Sequence, residues 1–196
     1  VPALSLGAFE LYPWELLQAY LTISRMGSFI PITYIRYVTD LDDETLFEQI
    51  PKVEQVFNKN KVAVLIGMMK QTIDNGTGKL ARILGFKSPA AGKTGTTSDS
   101  KDSWFAGFTP NHVAITWVGY DDNTTHNLTG ASGALPIWTQ YMKTYGQQFP
   151  DTDFNWPDDV YPLDLSESQL QDLGISEEDA AKMGDIQIIL EKNQSE

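Results

Sequence analysis

The stretch that decides the fold is Ala91-Gly92-Lys93-Thr94-Gly95-Thr96-Thr97, followed after a polar turn by Trp104 to Phe108 and then Val113 to Val118. All three segments have the composition of β-strands, and only a few residues connect each to the next. Connections this short join antiparallel neighbours. We therefore predict a three-stranded antiparallel meander whose first strand, about residues 91–98, carries the sequence Lys-Thr-Gly.

Helical patterns lie on both sides of this meander. Each combines a start signal, an apolar stripe and a stop signal. The first covers about residues 13–26 from Pro13, the second runs from an Asn60 cap to Gly76, and the third runs from a Ser132 cap, with Pro136 in its first turn, to about Tyr145.

Between the first two helices, the segments Ile32 to Val38 and Thr45 to Ile50 are separated by the polar turn Asp40-Leu41-Asp42-Asp43, which predicts a β-hairpin. The order along the chain is then helix, hairpin, helix, meander, helix. This order predicts an α+β fold in which helices cover an antiparallel sheet.

The Lys-Thr-Gly strand also carries the side chains with the clearest chemical potential. Gly95 removes the side chain that would keep a ligand backbone away, and an edge strand can accept a peptide as one more strand. Lys93 supplies a positive charge beside that edge. The hydroxyls of Thr94 and Thr96 can bind a carboxylate, and the backbone N–H of Thr96 could point at a developing oxyanion.

Further segments surround the Lys-Thr-Gly box in an order known from one family: Leu6-Gly7-Ala8, Pro13-Trp14-Glu15-Leu16, Ala19-Tyr20, Asn75-Gly76-Thr77-Gly78, Asp102 to Gly107, Trp117 to Asp122 and Gly130-Ala131-Ser132-Gly133. Together with the box they span about residues 4–145. They resemble the transpeptidase domain of penicillin-binding proteins, specifically of the bifunctional class A type that builds peptidoglycan.

The resemblance implies the transpeptidase and serine β-lactamase fold, incomplete in this chain, because two of the family's three motifs are not matched. No S-x-N occurs, and the one S-x-x-K, Ser98-Asp99-Ser100-Lys101, follows the box in a predicted turn. A turn neither buries the lysine nor aims the serine at oxyanion donors, so we interpret this match as accidental. We therefore expect the nucleophilic serine outside this chain, which would hold about the C-terminal half of the domain.

The resemblance also implies roles for individual residues. Lys93, Thr94, Gly95 and Thr96 form the catalytic set, in which Lys93 stabilises the anionic substrate end and helps polarise the serine network. Thr94 and Thr96 hold the terminal carboxylate, while the N–H of Thr96 completes the oxyanion hole with the serine's own N–H. Thr97 is expected to bind substrate at the far end of the strand.

The expected reaction of the parent protein is acyl transfer. A serine would attack the penultimate D-alanine carbonyl of a stem pentapeptide, release D-alanine and pass the acyl group to an amine of a neighbouring stem; β-lactams would acylate the same serine. The chain alone is expected to be inactive. Its expected partners are the stem peptide, the lipid-linked precursor, β-lactams as inhibitors and the upstream half of the same protein. The expected location is the periplasmic side of a bacterial envelope, with the parent anchored in the inner membrane.

Two alternatives stay open at this point. A serine β-lactamase or DD-carboxypeptidase shares the Lys-Thr-Gly strand, although Asn75-Gly76-Thr77-Gly78 and Trp117 to Asp122 favour the class A synthase. A non-catalytic relative could keep the sheet as a peptide-binding or scaffolding module. Neither a cofactor nor a metal is expected, because the chain lacks cysteine, and His112 and His126 have no suitably spaced ligand partners.

Charge divides the chain near residue 150. Residues 1–150 contain 13 acidic and 12 basic residues, whereas residues 151–196 contain 13 acidic and 2 basic residues. We predict that 1–150 is the transpeptidase part and that 151–196 is an acidic extension, partly disordered or packed on its own domain or on a neighbour. Within it, Leu165 to Leu173 and Ile175 to Met183 predict two short helices.

The same composition excludes several functions. A body without a basic face argues against sequence-independent nucleic-acid binding. The longest clearly apolar run, Val62 to Met69, is too short to span a bilayer, so we expect no membrane segment in this chain. Because the chain begins Val1-Pro2-Ala3, with no Met and no signal-like segment, we expect it to be a processed or excised piece of a longer protein.

Overall fold

The computed structural model describes residues 10–146 and 152–192 and has the predicted α+β architecture. Its elements, in chain order, are α1 Pro13–Ser24, β1 Ser28–Phe29, β2 Tyr37–Thr39, β3 Thr45–Glu48, β4 Glu54–Gln55, α2 Lys59–Asp74, α3 Leu80–Ile83, β5 Ala91–Thr96, β6 Asp102–Phe108, β7 Val113–Gly119, α4 Ala134–Gly146, β8 Val160–Leu165, α5 Glu167–Asp172, α6 Glu177–Met183 and β9 Ile186–Glu191.

The central sheet is the predicted meander, with strand order β5-β6-β7 and antiparallel pairing throughout. In its register Lys93 lies opposite Ala106 and Gly95 lies opposite Trp104. Strand β5 ends at Thr96, two residues earlier than predicted. The other side of β5 pairs with no strand among the described residues, so the Lys-Thr-Gly strand is a sheet edge.

Helices cover this sheet, as predicted, and they lie on both of its faces. Phe105 and Phe108 are three residues apart on β6, so their side chains point to opposite faces. Phe105 is fully buried against Trp138 of α4, with ring centroids 4.9 Å apart, whereas Phe108 meets Tyr20 of α1 edge-to-face at 6.3 Å. The edge strand is therefore held in a sheet with α1 on one face and α4 on the other.

The first helix begins where the sequence predicts. Pro13 occupies the first helical position, where its missing N–H costs no hydrogen bond. The carboxylate of Glu15 accepts a hydrogen bond from the N–H of Tyr12 over 2.9 Å. This contact satisfies one of the free N–H groups at the helix start.

The predicted caps of the second and third helices are wrong. Asn58, not Asn60, caps α2 by accepting hydrogen bonds from the N–H groups of residues 60 and 61. Asn60 is instead buried, and its amide donates to Glu191 over 3.1 Å. At the start of α4, the N–H of Ala134 donates to the hydroxyl of Ser103 on β6 over 2.9 Å, so a residue of the sheet replaces the predicted Ser132 cap.

The hairpin between α1 and α2 is confirmed, although its strands are shorter than predicted. Strands β2 and β3 pair antiparallel with Tyr37 opposite Glu48, and every residue of both strands is exposed. Strands β1 and β4 pair at its base and were not predicted, because two residues are too few for a period-two pattern to be recognised.

The acidic C-terminal residues contain both predicted helices, which are α5 and α6. They lie between β8 and β9, two antiparallel strands that were not predicted from the sequence. Strand β9 packs on α2 so closely that a Cβ on Gly67 would lie 2.7 Å from Ile189 Cβ. The predicted boundary near residue 150 lies outside the described residues, and so does the segment Leu6-Gly7-Ala8.

None of the helices in the described parts of the chain is long and apolar enough to cross a membrane.

Candidate active site

An open cleft of about 980 Å³ runs along the free edge of β5. All five residues predicted to act in the site, Lys93 to Thr97, contribute to its lining. The opposite wall comes from Leu16 and Tyr20 of α1, and the floor includes Trp104 and Ala106 of β6. The strand that the sequence singled out therefore borders the space in which a ligand could lie.

The pairing of β5 determines which backbone groups face this cleft. The N–H of Thr97 donates to the carbonyl of Asp102 over 3.2 Å, so residue 97 points toward β6. Backbone groups of an antiparallel strand alternate in direction from one residue to the next. The N–H and C=O of Thr96 and of Thr94 consequently point away from β6, toward the open edge.

Lys93 supplies the positive charge of the site. Its side chain is exposed on the sheet face shared with Ala106, and its ammonium donates a hydrogen bond to the carbonyl of Thr94 over 2.8 Å. Within residues 10–146 and 152–192 it forms no salt bridge. Among these residues no carboxylate pairs with the Lys93 ammonium, so it is available to an anionic ligand.

The two threonines of the box have hydrogen-bond partners from different parts of the chain. The hydroxyl of Thr94 lies 2.8 Å from that of Thr77, in the turn after α2. The hydroxyl of Thr96 accepts a hydrogen bond from the N–H of Gly130 over 2.9 Å. Neither Thr77 nor Gly130 was assigned to the site from the sequence, although both lie in segments that carry the family resemblance.

Thr97 lies just beyond the strand and organises the turn that follows it. Its hydroxyl accepts hydrogen bonds from the N–H groups of Lys101 and Asp102, over 3.1 and 2.9 Å. The carboxylate of Asp102 in turn accepts a hydrogen bond from the indole of Trp117 over 2.9 Å. These contacts rigidify the end of the cleft, and a role of Thr97 in substrate binding stays a prediction.

A close approach of the loop before α4 to Gly95 requires a glycine at position 130. The loop before α4 crosses over the strand at this point, and a Cβ on Gly130 would lie 2.7 Å from the carbonyl oxygen and 2.9 Å from the nitrogen of Gly95. A Cβ on Gly95 would in turn lie 3.2 Å from the Cβ of Trp104. Gly95 is expected from the sequence to let a ligand backbone approach, and in the structure it also lies against this loop.

Tyr20 forms an apolar part of the wall opposite Lys93. Burial raises the pKa of its phenol to about 12, because the charged phenolate would lose contact with water. Its ring packs edge-to-face on Phe108. The phenol therefore stays neutral at physiological pH and adds no negative charge beside the lysine.

The S-x-x-K sequence occupies the turn between β5 and β6, as predicted. Ser100 adopts a φ of 50°, and the ammonium of Lys101 lies 3.4 Å from the carboxylate of Asp99. Ser98 thus does not begin a helix. Among the described residues, no group of three or more His, Cys, Asp or Glu side chains could hold a metal ion.

The fold agrees with what comparisons with known proteins show. Residues 3–143 match the model of the penicillin binding protein transpeptidase domain, and the chain belongs to this family. The predicted fold class and the resemblance stated from the motifs are both confirmed.

Its relatives include class A penicillin-binding proteins. Penicillin-binding protein 1B of Vibrio cholerae serotype O1 is 40% identical over 143 residues, which are 73% of this chain and 18% of the relative. Penicillin-binding protein 1B of Escherichia coli K12 is 41% identical over 145 residues, 72% of this chain and 17% of the relative. The chain thus spans less than a fifth of the length of either protein.

Among solved structures, penicillin-binding protein 1A from Haemophilus influenzae superposes with a TM-score of 0.76 and 26% identity. The match covers 85% of this chain and 31% of that one. It therefore includes residues beyond the range that the family model matches.

Proposed function

We propose that this chain is the C-terminal part of the transpeptidase domain of a bifunctional class A enzyme, a peptidoglycan DD-transpeptidase whose nucleophilic serine lies outside residues 1–196. The observation that carries the proposal is the edge of β5, which pairs with no strand among the described residues and borders an open cleft. Beside its outward-pointing backbone groups it presents Lys93, which forms no salt bridge within those residues. Membership of the transpeptidase family supports the same reaction class.

In this reaction the stem peptide lies along β5 as an added strand. The outward C=O of Thr94 and N–H of Thr96 are the backbone groups that such a strand can pair with. Peptide pairing of this kind fixes the scissile carbonyl relative to the strand before any bond changes. Its orientation then determines whether the serine can reach the carbonyl carbon.

The chemical step is attack of the serine oxygen on the penultimate D-alanine carbonyl. Negative charge then develops on the carbonyl oxygen, where the N–H of Thr96 and the serine's own N–H donate hydrogen bonds. Losing one such donor typically raises the barrier by about 3 kcal/mol. Terminal D-alanine leaves with the proton that the serine loses. An amine of a neighbouring stem then attacks the acyl-enzyme, so that an amide forms, the serine ester bond breaks and the serine oxygen takes up a proton from the amine.

Lys93 and the two threonine hydroxyls recognise the anionic end of the substrate. A charge about 4 Å away contributes on the order of 1–4 kcal/mol at a partly solvated site. Lys93 also helps polarise the serine network once the upstream residues are present. A neutral substrate end would not gain this electrostatic attraction.

The proposal extends to the setting of the parent protein. It would carry a glycosyltransferase activity, an inner-membrane anchor and an extracytoplasmic location, and it would act on stem peptides and a lipid-linked precursor. β-Lactams would inhibit it by acylating the serine. The isolated chain would be inactive because it lacks that serine.

The test is covalent labelling of the full-length protein by a fluorescent penicillin. We expect the wild type to be labelled and Lys93→Ala to be labelled roughly 10- to 100-fold more slowly, which corresponds to about 1.4–2.7 kcal/mol. Lys101→Ala is the matched control, because that lysine lies in the adjoining turn and pairs with Asp99.

Three results would count against the proposal in different ways. Unimpaired labelling of Lys93→Ala would remove the role given to this lysine. A wild type that binds stem peptide without ever forming the adduct would favour the non-catalytic scaffold, whereas rapid hydrolysis of the adduct would favour a β-lactamase or carboxypeptidase.

A further inference from the structure

The turn after α2 holds Thr77 in a fixed place beside the Lys-Thr-Gly strand. The N–H of Gly78 donates to the carbonyl of Thr72 over 2.7 Å, which wraps the turn back onto the helix. A Cβ on Gly76 would lie 2.9 Å from Thr72 Cα, and a Cβ on Gly78 would lie 2.9 Å from the Thr72 oxygen. Because both neighbours must be glycine for the turn to close, the backbone determines the position of Thr77.

Thr77 uses this position to reach the site. Its hydroxyl oxygen lies 2.8 Å from that of Thr94, and either hydroxyl can be the donor. Each hydroxyl has a single proton to donate and lone pairs to accept. If Thr77 donates, the proton of Thr94 is free for a ligand in the cleft; if Thr94 donates, it is not.

Thr96, two residues further along the strand, illustrates the effect of a partner that can only donate a hydrogen bond. A backbone N–H can only donate, so the hydrogen bond from Gly130 leaves the proton of Thr96 available to the cleft. Once an anion is present, the hydroxyl of Thr77 can likewise donate to the hydroxyl oxygen of Thr94, which leaves the proton of Thr94 available to the anion. A carboxylate accepts hydrogen bonds only, so it favours the arrangement in which Thr77 donates to Thr94 and Thr94 donates to the ligand.

We propose that Thr77 is a positioning residue, which acts through Thr94 to present a hydroxyl proton to the carboxylate at the end of the substrate. This inference rests on the proposed function, because it assigns the anion to the same cleft. It also explains why a threonine stands between the two glycines of the turn, whose own geometry requires no side chain at position 77.

The experiment compares a ligand that has the carboxylate with one that lacks it. Acylation rates of the full-length protein are measured with benzylpenicillin and with its methyl ester, for the wild type, Thr77→Val and Thr77→Ser. Valine keeps the shape of threonine and removes the hydroxyl, whereas serine keeps the hydroxyl. Thr144→Val, on an exposed position of α4, is the matched control.

We expect Thr77→Val to slow acylation by benzylpenicillin roughly tenfold and acylation by the ester less than twofold, since a hydrogen bond is lost only from the charged ligand. The loss should fall on the apparent dissociation constant of the initial complex more than on the acylation rate constant. Thr77→Ser should restore the preference for the acid. In a Thr94→Val background, adding Thr77→Val should have no further effect, because its partner is already absent.

An equal loss for both ligands would mean that Thr77 supports only the fold and would overturn the inference. Failure of Thr77→Ser to restore the preference, or full additivity with Thr94→Val, would overturn it as well. In each of these cases the wild type is still acylated, and the proposed function stands. A wild type that neither ligand acylates would overturn the proposed function and the Thr77 inference together.

Discussion

The backbone N–H of Gly130 lies 2.9 Å from the hydroxyl oxygen of Thr96 and donates a hydrogen bond to it. This hydrogen bond joins the loop before α4 to the edge strand that borders the cleft. At the same point the loop lies so close to β5 that no side chain fits between Gly130 and the backbone of Gly95. Strand and loop are therefore in direct contact, and we expect a change in the loop to affect the strand.

Gly130→Ala tests this coupling. The added Cβ would lie 2.6 Å from the carbonyl oxygen of Trp104 and 2.7 Å from that of Gly95, and backbone atoms cannot move aside as a flexible side chain can. We expect penicillin labelling to fall at least tenfold and stability to fall by about 1–3 kcal/mol. Ala131→Ser, at a partly exposed position of the same loop, is the control for both measurements and should change neither. Normal labelling by Gly130→Ala would show that strand and loop are not coupled.

Gly67→Ala tests the packing between α2 and β9. An alanine in a helix interior ordinarily gains about 1 kcal/mol over glycine. Here its Cβ would lie 2.7 Å from Ile189 Cβ, so we expect the free energy of unfolding to decrease by about 1–3 kcal/mol.

The sign of this effect should reverse in a second background. Ile189→Gly removes the clashing Cβ and every atom beyond it, and there we expect Gly67→Ala to stabilise relative to the Ile189→Gly single variant. Chemical denaturation of the four proteins gives the coupling free energy directly. A destabilising Gly67→Ala in both backgrounds would contradict the close packing of these two residues.

The raised pKa of the Tyr20 phenol predicts that the stability of the fold depends on pH in the alkaline range. Its pKa is raised to about 12 in the folded protein, against about 10 for an exposed phenol. Between these values the folded state therefore binds more protons than the unfolded state. The contribution of protonated Tyr20 to the free energy of unfolding is complete below pH 10 and is lost as the pH rises toward 12.

The expected loss is on the order of 2–3 kcal/mol. Tyr20→Phe should unfold with a shallower dependence on pH between 10 and 12, and denaturant titrations at several pH values measure the difference. Tyr120→Phe is the control, because that phenol is exposed. Identical slopes for the wild type and Tyr20→Phe would refute the assignment.

Ser98→Ala tests whether the S-x-x-K sequence in the β5–β6 turn is accidental. We expect the variant of the full-length protein to be labelled by penicillin at the wild-type rate, since Lys101 pairs with Asp99 and the serine begins no helix. Mass spectrometry of the labelled peptide should place the adduct outside residues 98–101. An adduct on Ser98 would instead make this turn the nucleophile.

The sequence was sufficient for the parts of the site that are contiguous. Lys93 to Thr97 occupy one strand and its end, so composition and short connections indicated both their conformation and their place at one edge. The hydroxyl partners were not predictable in this way. Thr77 and Thr94 are 17 residues apart, and Thr96 and Gly130 are 34 apart, so only the folded chain brings them together.

Helix starts illustrate the same limit. Ser103 provides the hydroxyl for the N–H of Ala134 from a strand 31 residues earlier, and a local capping rule cannot find such a partner. Which asparagine caps α2, Asn58 or Asn60, depends on burial, because the amide of Asn60 donates a hydrogen bond to Glu191 at the far end of the chain. Strand β8 was missed because Pro162 lies in an acidic stretch that resembles a solvated segment.

The packing of β9 on α2 has a practical consequence for anyone who shortens this protein to reduce its negative charge. Ending the chain at residue 150 would remove 13 acidic and 2 basic residues. It would also bare Ala63, which is completely buried and packs against Val160 and Ile189. The shortened protein would be less acidic but would expose apolar surface, so it should aggregate more readily. Its yield in soluble form should therefore fall although its net charge approaches neutrality.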